Sequence, residues 1–174
     1  MQHTSQDLAD SLVLCADLLD YPDNHYREKL HQLCLLTGDQ TCKMSSISQE
    51  KLEAEYLRLF SIEATANRTV PIASWWLDGS SHGSSMRKIE VFYKECGYEI
   101  DHTLYKVPDH LVMLLRFISI LLEDGLDERA KAFSRFLTWL NDFEKSLEST
   151  SVLCSFPLAA KYAITILETL NREN

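Results

Sequence analysis

A proline–aspartate–histidine triplet is the part of this sequence whose residue types could most directly recognise a ligand. Pro108, Asp109 and His110 stand directly before a very apolar segment. Proline fits the first position of a helix, so we expect Asp109 and His110 in the first turn, where the helix dipole favours an anionic side chain. Two interpretations follow. The carboxylate either meets an incoming cation at the mouth of a groove, or it only starts the helix.

Two adjacent tryptophans form a second candidate site. Trp75 and Trp76 lie within residues 70–79, in a stretch without regular periodicity. Neighbouring side chains diverge, so the two rings cannot easily both enter the core. One of them is expected to line a groove for a peptide or protein partner, because exposed aromatics are strong binding anchors. Alternatively, both rings are partly buried against different helices.

Residues 55–60 form a third candidate segment. Tyr56, Leu59 and Phe60 share one side of a predicted helix. The pattern alone also fits the end of an ordinary amphipathic helix.

Catalytic motifs are absent from the sequence. It contains no glycine-rich phosphate loop, no zinc-protease motif and no nucleophile elbow. The six histidines are scattered, with none four residues from another, so we expect neither a metal site nor a cofactor. The sequence therefore favours a binding protein over an enzyme.

The overall charge narrows the class of partner. A formal charge of -9 arises from 17 Lys and Arg against 26 Asp and Glu. An acidic surface repels nucleic acid and attracts a cationic peptide. The same acidity would also serve solubility alone.

Cysteine usage and hydropathy indicate a cytoplasmic protein. None of the five cysteines forms a C-x-x-C pair, so we expect free thiols, as in a reducing compartment. No signal peptide is visible at the N-terminus. The most apolar stretch, residues 111–122, contains Arg116 and is shorter than the roughly 20 residues that span a membrane. Stable membrane insertion is therefore not expected.

Helical periodicity runs through most of the chain. The predicted helices include residues 22–36, 86–95, 108–123 and 127–147, and a last helix that starts at Ser155. The helix over 108–123 is apolar on nearly every face, which places it at the centre. With only 5 Gly and 4 Pro, the chain is predicted to be all-α. We expect one domain over residues 1–174, a bundle of about six or seven helices, with a possible hinge near 97–108.

These segments together resemble the TorD/DmsD/NarJ family of redox-enzyme maturation chaperones. The resemblance covers residues 55–122 and keeps the order of the family's motifs. Its elements are a tyrosine-x-x-leucine-phenylalanine motif (Tyr56, Leu59, Phe60), a loop with proline, serine and aromatics (Pro71, Ser74, Trp75, Trp76), a helix-ending glycine (Gly97) and the triplet Pro108, Asp109 and His110. Val107 replaces a common glutamate before the triplet, and no glycine turn follows Phe60. These departures leave the client enzyme open.

The resemblance implies an all-helical cytoplasmic chaperone, monomeric or homodimeric. Such a protein binds the twin-arginine leader and the apo form of a molybdenum-cofactor oxidoreductase, assists cofactor insertion and delays export. Residues implied to line or shape the leader-binding region are Tyr56, Leu59, Phe60, Pro71, Ser74, Trp75, Trp76, Gly97, Asp109 and His110. A helical adaptor or regulatory protein that binds another protein surface is the alternative.

Overall fold

The computed structural model describes residues 4–40, 42, 47–61, 69–100 and 107–172, and within these ranges the regular secondary structure is helical throughout. The helices are α1 (Ser5–Leu18), α2 (Tyr26–Thr37), α3 (Gln49–Phe60), α4 (Ala73–Asp78), α5 (Ser84–Glu95), α6 (Leu111–Glu123), α7 (Asp127–Ser134), α8 (Leu140–Thr150) and α9 (Ser155–Arg172). The all-α prediction is confirmed. The described ranges hold more helices than the six or seven expected. The hinge predicted near 97–108 includes residues 101–106, which lie outside the described ranges.

Helix α6 lies at the centre of the bundle. Nine of its 13 residues are buried, a larger share than in α1 or α9. It packs mainly against α1, which also contacts α9, and α9 in turn packs on α8. The prediction that this apolar segment is the most buried helix is confirmed, because a helix that is apolar all round needs neighbours on several sides.

Two helices depart most from the sequence prediction. The second helix begins at Tyr26 rather than Pro22, because Asp23 forms a turn in which its carboxylate accepts the His25 N–H at 2.9 Å. The helix predicted over 127–147 is broken into α7 and α8 by a 3-10 turn, Arg135–Leu137. At this break the Trp139 indole N–H donates to the Phe136 carbonyl at 2.8 Å. That carbonyl would otherwise accept a backbone N–H of a continuous helix.

An additional short helix, α4, occupies part of the stretch predicted to be irregular, and its last residue caps the next helix. The Asp78 carboxylate accepts the Ser85 N–H at 2.8 Å and the Ser85 hydroxyl at 3.0 Å. Gly83 holds the N-cap position of α5 and has no side chain to cap it. Asp78 therefore supplies the oxygen that an N-cap side chain normally provides. These hydrogen bonds, led by the one from the Ser85 N–H, lower the pKa of Asp78.

Replacing Gly83 by alanine is expected to lower the free energy of unfolding by about 1–3 kcal/mol, the usual cost of overpacking. A Cβ at this position would lie 2.6 Å from the Asp78 Cβ and 2.7 Å from its Cγ, so the capping carboxylate would be displaced. Urea denaturation measures the change. The matched control is Ser80→Ala in the same exposed loop, which should change stability by less than about 0.5 kcal/mol. Equal stabilities of the two variants would contradict the packing argument.

The expectation that all cysteines are free thiols is wrong for two of them. Cys42 and Cys154 form a disulfide with their Cα atoms 5.8 Å apart, although 112 positions separate them in the chain. Cys15, Cys34 and Cys96 are free. Local spacing in the sequence carries no information about a pair that only the fold brings together.

Candidate functional site

An aromatic cluster connects the segment of residues 55–60 with the tryptophan segment of residues 70–79. Phe143 of α8 lies between them, with ring centroids 6.4 Å from Phe60 on α3 and 6.4 Å from Trp76 on α4. Phe156 of α9 extends the cluster, with ring centroids 5.5 Å from Phe60 and 6.3 Å from Tyr56. The members of this aromatic cluster are Tyr21, Tyr26, Tyr56, Phe60, Trp76, Trp139, Phe143 and Phe156. Stacked, tilted and edge-to-face ring pairs of this kind fix ring positions as well as burying area.

The two adjacent tryptophans diverge, as the sequence predicts. Trp76 is half-buried: its indole N–H donates to the Val70 carbonyl at 2.6 Å, and its ring stacks on Trp139 at 6.0 Å. Trp75 is 41% exposed. Trp76 therefore fastens α4 to the aromatic cluster, while Trp75 presents apolar surface to solvent.

The segment of residues 70–79 and the triplet Pro108, Asp109 and His110 are joined by backbone hydrogen bonds. Ile72 and His110 form an isolated antiparallel bridge. Beside it the Leu111 N–H donates to the Pro71 carbonyl at 2.8 Å, and the Ala73 N–H donates to the Asp109 carbonyl at 2.9 Å. The turn that holds the triplet therefore lies directly beside the segment that leads into α4. Through the aromatic cluster and these backbone hydrogen bonds, the three motifs form one contiguous assembly.

Asp109 does not lie in the first turn of a helix, and that prediction is wrong. Helix α6 begins at Leu111, with His110 as its N-cap. Asp109 is fully buried, and its Oδ2 accepts the Ser74 N–H at 2.8 Å. The residue thus caps the start of α4, whose own N-cap residue, Ile72, makes no side-chain cap. A buried carboxylate does not present its charge at the mouth of a groove.

His110 and Tyr93 make further hydrogen bonds that hold the triplet Pro108, Asp109 and His110 in place. The Nδ1 of His110 accepts the Val112 N–H at 3.3 Å and so caps α6. The Tyr93 hydroxyl, on α5, donates to the Pro108 carbonyl at 2.9 Å. Burial, with a smaller contribution from the negative charge of Asp109, raises the pKa of Tyr93. The tyrosine therefore remains a neutral donor that ties α5 to the triplet.

An ion pair between the buried Glu55 and the partly exposed Arg58 holds α3 to the connection between α8 and α9. Glu55 is 7% exposed and binds the Arg58 guanidinium in bidentate fashion, at 2.7 and 2.8 Å. Its Oε1 also accepts the Val152 N–H at 2.6 Å and the Ser151 hydroxyl at 3.1 Å. Arg58 in turn donates to the Thr150 carbonyl, the last residue of α8, at 2.6 Å. The pair thereby anchors the helix that carries Tyr56 and Phe60.

The outer end of the aromatic cluster combines tyrosines with carboxylates. Tyr21 is 48% exposed and packs edge-on against the half-buried Tyr56 at 5.3 Å. Burial, reinforced by the negative charge of Asp20, raises the pKa of Tyr56 to about 12. Partial burial, with the charge and hydrogen bonding of Glu53, raises the pKa of Tyr21. We call Asp20, Tyr21, Glu53 and Tyr56 the acidic edge. Carboxylates beside aromatic faces are suited to an arginine side chain.

The ten site residues inferred from sequence divide into two groups and one outlier. The half-buried or exposed ones, which can touch a ligand, are Tyr56, Phe60, Trp75 and Trp76. The buried ones, which shape the assembly, are Leu59, Pro71, Ser74, Asp109 and His110. Gly97 ends α5 with a positive φ of 85°, as its predicted stop signal requires. No sequence signal pointed to Tyr21, Phe143 or Phe156, because their partners are remote in the chain.

Within the ranges that the structure describes, no group of three metal-ligating side chains is assembled. No helix of the described part is both long and apolar enough to cross a bilayer.

The chain is similar to known proteins in both sequence and fold. Residues 19–149 match the nitrate reductase delta subunit family. A curated relative, Chaperone protein TorD of Actinobacillus succinogenes, is 28% identical over 121 residues, which cover 68% of this chain and 62% of that protein. A crystal structure described as that of a redox enzyme maturation protein from Archaeoglobus fulgidus superposes with a TM-score of 0.63 and 22% identity, covering 99% of this chain and 96% of that one. The last match shows the shared fold.

Proposed function

Because the chain belongs to the nitrate reductase delta subunit family, we propose that it is a non-catalytic maturation chaperone for a molybdenum-cofactor oxidoreductase. The membership confirms the resemblance carried by the sequence motifs. In this proposal the protein acts in the cytoplasm. It binds the twin-arginine leader and the apo catalytic subunit of its client, assists cofactor insertion and delays export.

One observation carries the proposal: a partly exposed aromatic surface ends in the acidic edge. Tyr56, Phe60 and Trp76 are half-buried and Trp75 is exposed, so they offer apolar surface on a rigid base. The apolar stretch of a leader would pack there, as an amphipathic peptide packs in a groove. The burial of Asp109 argues against it as the first contact for an arginine, and supports assigning that role to Asp20 and Glu53.

Arginine fits this edge better than lysine does. Its planar guanidinium stacks on aromatic rings and forms bidentate bonds to carboxylates. Tyr21 and Tyr56 supply ring surface, and Asp20 and Glu53 supply the opposite charge within the same small area. The net charge of -9 adds long-range attraction for a basic peptide.

The combined variant Asp20→Asn, Glu53→Gln is expected to bind a synthetic twin-arginine leader roughly tenfold more weakly than the wild type. Both changes keep shape and remove charge. Isothermal titration calorimetry at two salt concentrations measures the affinity, and the salt dependence should be smaller in the variant because fewer charges contribute. A leader with lysines in place of both arginines should also bind more weakly.

The matched control removes two exposed carboxylates that are not part of the acidic edge, with Glu128→Gln and Asp142→Asn. Both side chains are largely exposed, at 88% and 71%, and the net charge changes by the same amount. Equal loss of affinity in the two double variants would contradict a local arginine site. Absence of saturable leader binding, with binding to the body of an apo-oxidoreductase retained, would favour the adaptor alternative.

A further inference from the structure

The disulfide joins two connections that lie beside the aromatic cluster. Cys42 precedes α3, and Cys154 lies in the link between α8 and α9. The same link holds Ser151 and Val152, which hydrogen-bond to Glu55. Phe156, two positions after Cys154, packs on Tyr56 and Phe60. A bond at Cys154 therefore constrains one segment with two roles. It supplies Phe156 to the aromatic cluster and two hydrogen-bond donors to Glu55.

The two sulfur positions are chemically unequal. Cys154 is exposed, whereas Cys42 is only 7% exposed. The Cys154 carbonyl accepts the Leu158 N–H at 3.0 Å, so this cysteine stands at the N-terminus of the 18-residue helix α9. A thiolate at such a position is stabilised by the helix dipole. An accessible thiol with a buried partner at bonding distance is the arrangement of an attacking and a resolving cysteine.

We propose that Cys154 and Cys42 form a thiol–disulfide site that low-molecular-weight disulfides of the glutathione type oxidise, and whose closure rigidifies the link between α8 and α9. The Cys154 thiolate attacks glutathione disulfide, which forms a mixed disulfide and releases one glutathione thiolate. Cys42 then attacks the Cys154 sulfur and releases the second glutathione. Two electrons pass from the two protein thiols to glutathione disulfide, and the two thiol protons end on the two glutathione molecules.

Cys34 is a neighbouring thiol that does not take part. It lines a cavity of about 330 Å³ together with Cys42. Burial, with the negative charge of Asp39, raises the pKa of Cys34, which keeps it protonated and a poor nucleophile. Cys34→Ser is therefore the matched control for the loss of one thiol.

Redox titration of the full chain tests the site. The protein is equilibrated in buffers of varied glutathione to glutathione disulfide ratio, alkylated, and analysed by mass spectrometry. Wild type and Cys34→Ser should each lose two free thiols in a single transition that pairs Cys42 with Cys154. Cys42→Ser should trap glutathione on Cys154, whereas Cys154→Ser should carry none on Cys42. Pairing of Cys34 with Cys42, or thiols that stay reduced in the most oxidising buffer, would overturn the proposal.

Hydrogen exchange tests the structural consequence. Oxidation should slow exchange of the Val152 N–H, the donor to Glu55, by tenfold or more, and raise Tm by roughly 5–10 °C. Both effects should vanish in Cys154→Ser. If exchange at Val152 is unchanged after complete oxidation, the disulfide does not rigidify the connection between α8 and α9. Neither readout requires a leader peptide, so the outcome is independent of the proposed client.

Discussion

Replacing Glu55 by alanine is expected to lower the free energy of unfolding by about 2–3 kcal/mol, because hydrogen bonds to a buried, charged acceptor are lost while Arg58, at 41% exposed, stays solvated. The carboxylate accepts four hydrogen bonds at once, two from Arg58 and one each from Ser151 and Val152. Its loss leaves the Val152 N–H without its acceptor and opens a gap between α3 and the link to α9. Urea denaturation at neutral pH measures the change.

The control for this variant is Glu50→Ala, which removes an exposed carboxylate from the same helix. It should change stability by less than about 0.5 kcal/mol. Glu55→Gln separates shape from charge, because its amide oxygen can still accept the Val152 N–H while the ion pair with Arg58 is lost. Similar stabilities for Glu55→Ala and Glu50→Ala would show that the hydrogen bonds of Glu55 do not stabilise the fold.

The same carboxylate makes stability depend on pH. Burial alone would raise the pKa of Glu55, but the hydrogen bonds from Arg58 and Val152 outweigh it and hold the pKa below the usual 4.5. A group with a depressed native pKa contributes fully above its unfolded value, and the contribution is lost as pH falls through the native one. Wild-type stability should therefore decline below about pH 4.5 more steeply than that of Glu55→Gln, which does not titrate at this position.

The helices were predictable wherever a local pattern determines them. The apolar residues on nearly every face of α6 predict its central position. Gly97 ends α5 with the positive φ that is expected of a helix-ending glycine. The break between α7 and α8 was not predictable, since it coincides with one hydrogen bond from Trp139 to a carbonyl three residues away. Periodicity of apolar residues continues across such a break and does not register it.

The site was predictable only in part, because its motifs are local but its contacts are long-range. Tyr56 and Phe60 were found from their spacing, yet Tyr21 and Phe156 approach them from other helices. The Cys42–Cys154 bond spans 112 positions. Contacts of this kind are set by how the helices pack, and the residue types alone leave many pairings open.

Asp109 illustrates the same limit, because its partner lies 35 positions earlier in the chain. Its carbonyl and carboxylate accept the first two N–H groups of α4, from Ala73 and Ser74. These donors are unpaired at every helix start and are usually met by a neighbouring side chain. A turn before α6 thus determines where α4 begins, and with it the position of Trp75.

Replacing Asp109 by alanine is therefore expected to lower the free energy of unfolding by about 2–3 kcal/mol, since a buried N–H loses its acceptor and a void opens. Leader affinity should fall as well, because α4 loses its fixed start. Asp109→Asn should behave differently. Its amide oxygen can still accept the Ser74 N–H, so stability should stay within about 1 kcal/mol of the wild type and leader affinity within roughly threefold.

The asparagine variant decides between the two interpretations of this residue. Urea denaturation and calorimetric titration with the leader are carried out on Asp109→Asn, Asp109→Ala and the exposed control Asp142→Asn. A tenfold or greater loss of affinity in Asp109→Asn, with stability unchanged, would mean that the Asp109 charge contacts the leader directly, after a rearrangement that exposes it. Affinity that falls only when stability falls identifies Asp109 as the residue that positions α4, and leaves arginine recognition to the acidic edge.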